Sequence, residues 1–229
     1  YLMQHAGGLA FASEPRAFFA AGMIRPVLDV EAARELLELN YTLGVRTLFQ
    51  GLRRLAPGEV VEVAGGRIIS SRRRSFLGSP THEGGEAELL RELDAILEDS
   101  VQVHQRSDVP YGLFLSGGID SAAIATIMAR LNARPVTAFT CGFDAPGAAD
   151  ERAAAEAVAT ALNLDWRETS FGEADFWRIL PEVAWALDDP TADYATLPTY
   201  KLAEAAKGAL TVVLTGEGGD ELFGGYGRY

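Results

Sequence analysis

The sequence predicts an α/β fold built on a doubly wound parallel sheet, preceded by a smaller β-rich piece. Three observations carry this. From Glu86 onward, short and uniformly apolar runs alternate with longer stretches of helical period, as parallel strands covered on both faces require. Two of those runs, 111–115 and 210–214, end in polar, glycine-rich loops, and ligands of doubly wound sheets bind beyond the strand C-terminal ends. The charge also steps along the chain. Residues 1–80 carry 10 Lys/Arg against 7 Asp/Glu, whereas residues 81–229 carry 10 against 25, which marks a domain boundary near residue 80.

Each element has a local reason. Residues 1–14 read as short extended pieces around a Gly7-Gly8 turn, with Leu9-Ala10-Phe11-Ala12 as the second strand. Pro15 opens a short helix through Met23, because a first helical position has no use for an N–H. Asp29 is placed to N-cap a helix over 30–43. Gly51 breaks the stretch 48–55. Pro57-Gly58 is a turn, and 59–63 with 67–69 frame Ala64-Gly65-Gly66 as a hairpin. Arg72 to Glu86, with Gly78, Pro80 and Gly84-Gly85, reads as a linker. The expected organisation is therefore 1–75, a linker at 76–85, and 86–229. In the last of these an amphipathic helix runs from Leu89 and ends before Ser107. Strand 111–115, helix 120–131, strand 135–141, helix 150–163, an extended piece 164–171, helices 174–187 and 198–207, and strand 210–214 follow. Pro198 is expected at the first position of its helix and Gly208 at its stop.

Composition narrows the function classes. A hydrophobic content of 48% and a charged content of 23% are those of an ordinary globular protein. No apolar run approaches the roughly 20 residues that span a bilayer, and no secretory leader is visible. Cys141 is the only cysteine, so no internal disulfide can form and a cytoplasmic location is expected. The net charge of −12 argues against a nucleic-acid partner. The run Arg72-Arg73-Arg74 is too short to alter this and reads as a solvated face or linker. The chain opens in a strand-like segment at Tyr1 and closes in a glycine-rich loop, as a piece of a longer protein would.

The chemistry centres on Leu115-Ser116-Gly117-Gly118-Ile119-Asp120-Ser121. A buried strand, a tight loop and a helix N-terminus gather backbone N–H groups and the positive end of a helix dipole, which suits an anion. Gly117 and Gly118 allow close backbone approach, and Ser116 and Ser121 add hydroxyls. Where a simple phosphate cradle would have a basic residue, this loop has Asp120. A carboxylate beside phosphates makes sense with a divalent cation between them. The plain alternative is a strand–turn–helix with small residues at the turn. Duller readings stand beside the other residues too. Asp220 and Glu221 could cap a helix, and Glu217 could be a surface turn residue. The carboxylates of Asp188 to Asp193 could shape a substrate pocket, with a solvated helix terminus as the default, and Asp150-Glu151 could be an acidic first turn. Cys141 reads as a small apolar strand residue and not a nucleophile, since nothing nearby would lower its pKa. His5, His82 and His104 show no metal spacing. No Gly-Lys-Ser/Thr follows either loop, which excludes a Walker-type kinase.

Ser116-Gly117-Gly118-Ile119-Asp120-Ser121 resembles the pyrophosphate loop of the N-type ATP pyrophosphatases. Thr215-Gly216-Glu217-Gly218-Gly219-Asp220-Glu221-Leu222-Phe223-Gly224-Gly225-Tyr226 resembles the corresponding segment of glutamine-dependent asparagine synthetases and their amidotransferase relatives. Gly8 to Glu14, Arg46 to Gly51 and Pro57-Gly58 are similar to the closing part of that family's glutaminase domain. The resemblance implies an adenine nucleotide alpha-hydrolase-like (PP-loop) sheet after the C-terminal part of an N-terminal-nucleophile glutaminase domain. It also implies a reaction. A carboxylate, most often that of L-aspartate, attacks the α-phosphorus of ATP, pyrophosphate leaves, and ammonia from L-glutamine displaces AMP. By match, Ser116, Gly117, Gly118, Asp120 and Ser121 would hold pyrophosphate. Leu115, Cys141, Thr215 and Gly216 would contact the rest of ATP, Asp120 and Asp220 would bind Mg²⁺, and Glu217 would serve adenylate formation. Small-molecule substrates, no nucleic acid, no membrane and a candidate homodimer complete the expectation. The sequence also departs from the family. Ala122 replaces a frequent serine. The N-terminal cysteine nucleophile, the glutamine-binding residues before Tyr1 and a later helical part with a further cationic residue lie outside it. Rival readings are a relative forming a β-lactam, a macrolactam or an amidated sugar acid, and a non-catalytic ATP-binding module.

Overall fold

The computed structural model describes residues 1–75, 84–145, 147–148 and 150–227. It divides into two units, Tyr1–Thr81 with Pro181–Tyr194, and His82–Leu180 with Ala195–Tyr229. The expected linker falls largely on 76–83, outside the described residues.

The first unit begins with β1 (Leu2–His5), antiparallel to β2 (Gly8–Phe11). Helix α1 (Pro15–Ala20) follows with Pro15 at its start. Helix α2 (Val30–Leu39) is capped by Asp29, whose Oδ1 accepts from Glu31 N and Ala32 N at 3.1 Å each. It stops earlier than the expected Leu43, because Asn40 turns left-handed (φ 69°). Strands β3 (Glu59–Ala64) and β4 (Arg67–Arg73) form the hairpin, with a bulge at Glu62/Val63. Strand β4 thus takes in Arg72 and Arg73, two residues read from sequence as linker. Cross-strand backbone pairing outweighs their charge, and both side chains stay exposed. Met3, Phe18 and Leu52 make this unit's core, with the Phe19 and Phe49 rings edge-on beside it at 4.8 Å.

The acidic segment 188–193 corrects an expectation. Asp189, its side chain 3% exposed, accepts from Arg54 Nε at 2.5 Å and Tyr1 Oη at 3.0 Å. Asp188 pairs with Arg16 at 2.7 Å. Asp188 and Asp189 are thus ion-paired and not solvated at a helix end. They fasten 188–191 within the first unit, because a buried carboxylate needs a cation and hydrogen bonds. The phenol of Tyr1 is pushed up by its burial and then by Asp189, and the hydrogen bond to Asp189 raises Arg54 further.

The second unit starts with α3 (Glu86–His104) and continues β5 (Tyr111–Phe114), α4 (Ile119–Leu131), β6 (Thr137–Phe143), α5 (Arg152–Ala161), β7 (Asp165–Phe171), the part of α6 (Glu173–Ala186) before Pro181, α7 (Thr196–Ala206), β8 (Val212–Leu214) and α8 (Gly219–Phe223). Helix α7 begins two residues before the expected start, so Pro198 lies third in it, still within the first turn where no N–H partner is lost. The sheet order is β7-β6-β5-β8 with every pairing parallel. Leu113 of β5 sits opposite Ala138 on one side and Leu214 on the other. The chain steps from β5 through α4 to β6 and through α5 to β7, then returns past β5 to β8. Right-handed crossovers place helices of the outward and return steps on opposite faces. That is the doubly wound sheet expected, and β5/β8 is its topological switch point.

The main core fills the face under α3, α4 and α5: Val101, Leu113, Leu115, Ala125, Met128, Ala138, Ala155 and Ala159 are buried together. Truncating Leu113 or Met128, both fully buried, to alanine would cost roughly 2–5 kcal/mol. Thr140 ties the strand ends together: its Oγ1 donates to Leu115 O and accepts from Trp166 Nε1, both at 2.8 Å. Among the described residues no helix is long and apolar enough to cross a membrane.

Candidate active site

At the C-terminal end of β5 the chain turns through Leu115 to Ser121 into α4. Leu115 is buried, and its N–H donates to Phe139 O at 2.9 Å. The loop then closes on its own hydroxyls. Ser121 Oγ accepts from Ser116 N at 3.1 Å and meets Ser116 Oγ at 2.8 Å, while Gly118 N donates to Ser116 Oγ at 3.2 Å. Gly118 is the N-cap of α4 and has no side chain to offer the first turn. The N–H groups of Ile119, Asp120 and Ser121 lie in that turn, where a helix has no internal acceptor for them. Asp120 is in the same turn.

The loop after β8 lies directly against this turn. A Cβ on Gly216 would come within 2.6 Å of Ser121 N and 2.9 Å of Asp120 C, and one on Gly219 would fall onto the Asp120 carboxylate. Only glycine lets the two loops approach so closely. Gly218 adds a left-handed turn (φ 95°) that starts α8, in whose first turn Asp220 and Glu221 sit. Both residues therefore do stand at a helix start, while also facing a cavity.

That cavity, of about 430 Å³, is lined by every sequence-selected position except Gly117: Leu115, Ser116, Gly118, Asp120, Ser121, Cys141, Thr215, Gly216, Glu217 and Asp220. Three strand ends thus converge on one hollow. Asp120 and Glu217 also border a second, mostly apolar hollow of about 480 Å³ between α3, α4 and β8. Cys141 is half-buried, and burial pushes its thiol up to about 11, with the charge of Lys201 opposing the shift; it is a wall, not a nucleophile. His5 and His104 are far apart in the chain and His82 is outside the described residues. Among the described residues no three His, Cys, Asp or Glu side chains form a metal cage.

Sequence reasoning missed three features. Glu151, for which an acidic first-turn cap is one of two readings, accepts from Gly117 N at 3.0 Å. Tyr226 Oη donates to Glu221 Oε1 at 2.6 Å, and Thr140 and Thr199 join the lining. The glycine-rich composition hinted that backbones pass close together here, but nothing local named the partners.

A parallel sheet with two interlocked glycine loops and acidic residues at its switch point places the chain among the doubly wound α/β proteins. The comparisons specify it further. Residues 92–229 match the asparagine synthase family, and residues 1–74 match a glutamine amidotransferase domain. The chain belongs to the asparagine synthase family. Asparagine synthetase (glutamine-hydrolyzing) 1 of Bacillus subtilis is 34% identical over 219 residues, 96% of this chain and 34% of its own length. A protein of Mycobacterium tuberculosis is 37% identical over 238 residues, the whole of this chain and 36% of its own. Amidase chyE of Penicillium rubens is 30% identical over 241 residues, 97% of this chain and 35% of its own. The chain thus spans about a third of the length of these relatives.

Proposed function

We propose that this chain carries the ATP site of a glutamine-dependent ligase that activates a carboxylate by adenylation, with L-aspartate, L-glutamine and ATP giving L-asparagine, L-glutamate, AMP and pyrophosphate. The observation that carries it is the seating of the β8 loop on the first turn of α4, with Asp120 beneath Gly219 and Asp220 next in the chain. In this reading Ser116, Gly117, Gly118, Asp120 and Ser121 hold the leaving pyrophosphate with backbone N–H groups and hydroxyls. Such donors are fixed before reaction and need not reorganise as charge develops. Leu115, Cys141, Thr215 and Gly216 form the wall for the rest of the nucleotide, and Glu217 serves adenylate formation.

The donor set fits Mg²⁺. Asp120 and Asp220 are hard oxygen donors that line one hollow, and Mg²⁺ is commonly held by one or two carboxylates together with phosphate oxygens and water. Bound there, the ion would offset charge on the leaving group. The residues 1–74 that match an amidotransferase domain support glutamine as the ammonia source in the whole protein.

The test is pyrophosphate release by the full-length protein with MgATP, with and without L-aspartate. Release that ignores L-aspartate would remove the asparagine assignment. AMP formation with another carboxylate would move the acceptor while keeping the adenylation.

A further inference from the structure

The loop assigned to pyrophosphate already carries an anion. Gly117 N–H donates to Glu151 Oε2 at 3.0 Å, across 34 residues of chain. Glu151 is the N-cap residue of α5, yet it makes no capping bond to its own helix. Its carboxylate reaches out to the loop instead. The approach is close, since a Cβ on Gly117 would lie 3.0 Å from Ala154 Cβ and 3.2 Å from Glu151 Cβ. Among the described residues that line the hollow, none is a cation. The neighbouring Arg152 is paired with Asp150 at 2.7 Å and Asp144 at 3.5 Å. The described residues lining the hollow add Asp120, Glu217, Asp220 and Glu221 but no Lys or Arg. Glu151 is itself solvent-exposed.

A phosphate oxygen seeking the Gly117 N–H must therefore displace a carboxylate, and the two repel at close range. We propose that Glu151 is a displaceable stand-in for phosphate. It occupies the Gly117 N–H when no nucleotide is bound, leaves when ATP enters, and returns to hasten the departure of pyrophosphate. The proposal rests on the nucleotide reading above and adds to it a residue that governs product release. No covalent bond is made or broken by Glu151.

The experiment is calorimetric titration of inorganic pyrophosphate, with Mg²⁺ present, into the full-length protein and its Glu151→Gln and Glu151→Ala variants. Both variants should bind pyrophosphate more tightly, by about five- to ten-fold, as removal of one like charge at an exposed site implies. A merely structural Glu151 would give the opposite sign, because a disturbed loop binds less well. Unchanged or weaker binding in Glu151→Gln overturns the proposal. Should that variant fail to fold, Glu151→Asp keeps the charge but shortens the reach by one methylene. Smaller but definite tightening is expected there, and unchanged or weaker binding overturns the proposal equally. A wild-type protein that takes up neither pyrophosphate nor MgATP would remove the nucleotide reading and this proposal with it, and that failure shows before any substitution is made.

Discussion

Residues 116–121 and 215–221 both follow a short apolar strand and both enter a helix, yet the first closes on itself while the second leans on its neighbour. Ser116 and Ser121, five positions apart, hold the first loop through their hydroxyls at 2.8 Å. The second has a left-handed Gly218 and two glycines, 216 and 219, whose missing side chains make room for Asp120 and Ser121. A loop stabilised by contacts a few residues apart can form before the sheet is complete. A loop whose shape depends on a strand about 100 residues earlier in the chain takes its place only when β5 and β8 pair. The site is thus one self-supporting half and one dependent half, joined at Asp120.

Asp120 belongs to both halves, so its loss should be the most damaging. Asp120→Asn keeps the size and removes the charge; adenylation by the full-length protein should fall about 1,000-fold, with a raised Mg²⁺ requirement, as expected for a lost charge at the reacting phosphates. Asp220→Asn touches only the dependent half and should cost less, about 100-fold, measured by the same pyrophosphate-release assay.

Gly216→Ala separates the halves sterically. Its Cβ would meet backbone at 2.6 Å, which no rotamer change relieves. Nucleotide affinity should drop at least about 30-fold and stability by about 1–3 kcal/mol, read by MgATP titration and thermal unfolding. If Gly216→Ala bound MgATP normally, the dependence of the second loop on the first would be refuted. Ser121→Ala cuts only the local closure. Its Oγ accepts from Ser116 N and also pairs with Ser116 Oγ, so its loss should cost about 1–3 kcal/mol and roughly five-fold in affinity, with the β8 loop unmoved.

Cys141 should contribute least. Burial raises its thiol to about 11, so the thiolate, the reactive form, is suppressed at every pH below that value and grows as pH rises through it. At pH 8 alkylation by iodoacetamide should run about 100-fold slower than for a free thiol of pKa near 9. Cys141→Ala should change MgATP affinity less than about three-fold, as expected of a wall residue.

Much of this was legible in the residues. The strand–helix alternation, the parallel doubly wound sheet and the Asp29 cap arise from periods and contacts within a few residues, and the structure has them. The positions chosen around 115–121, 141 and 215–220 come together on one hollow, apart from the Gly117 position. Small slips have local causes. Asn40 ended α2 early by turning left-handed, and strand pairing drew Arg72 and Arg73 into β4. Asp188 and Asp189 were misread as solvated because their partners are remote: Arg54 lies 135 residues from Asp189, and Arg16 lies 172 from Asp188.

The sequence by itself determined the fold class, the strand–loop–helix with hydroxyls at Ser116 and Ser121, and the acidic residues that make it more than a plain anion cradle. Each depends on residue type and short spacing, which a linear chain displays openly. Only the tertiary structure decided that Gly216 and Gly219 are glycine for the sake of Asp120 and Ser121, that Asp188 and Asp189 are buried ion-pair partners, and that Glu151 sits on Gly117. Steric exclusion and charge pairing between distant segments depend on where the chain brings them in space, and that placement has no period along the sequence.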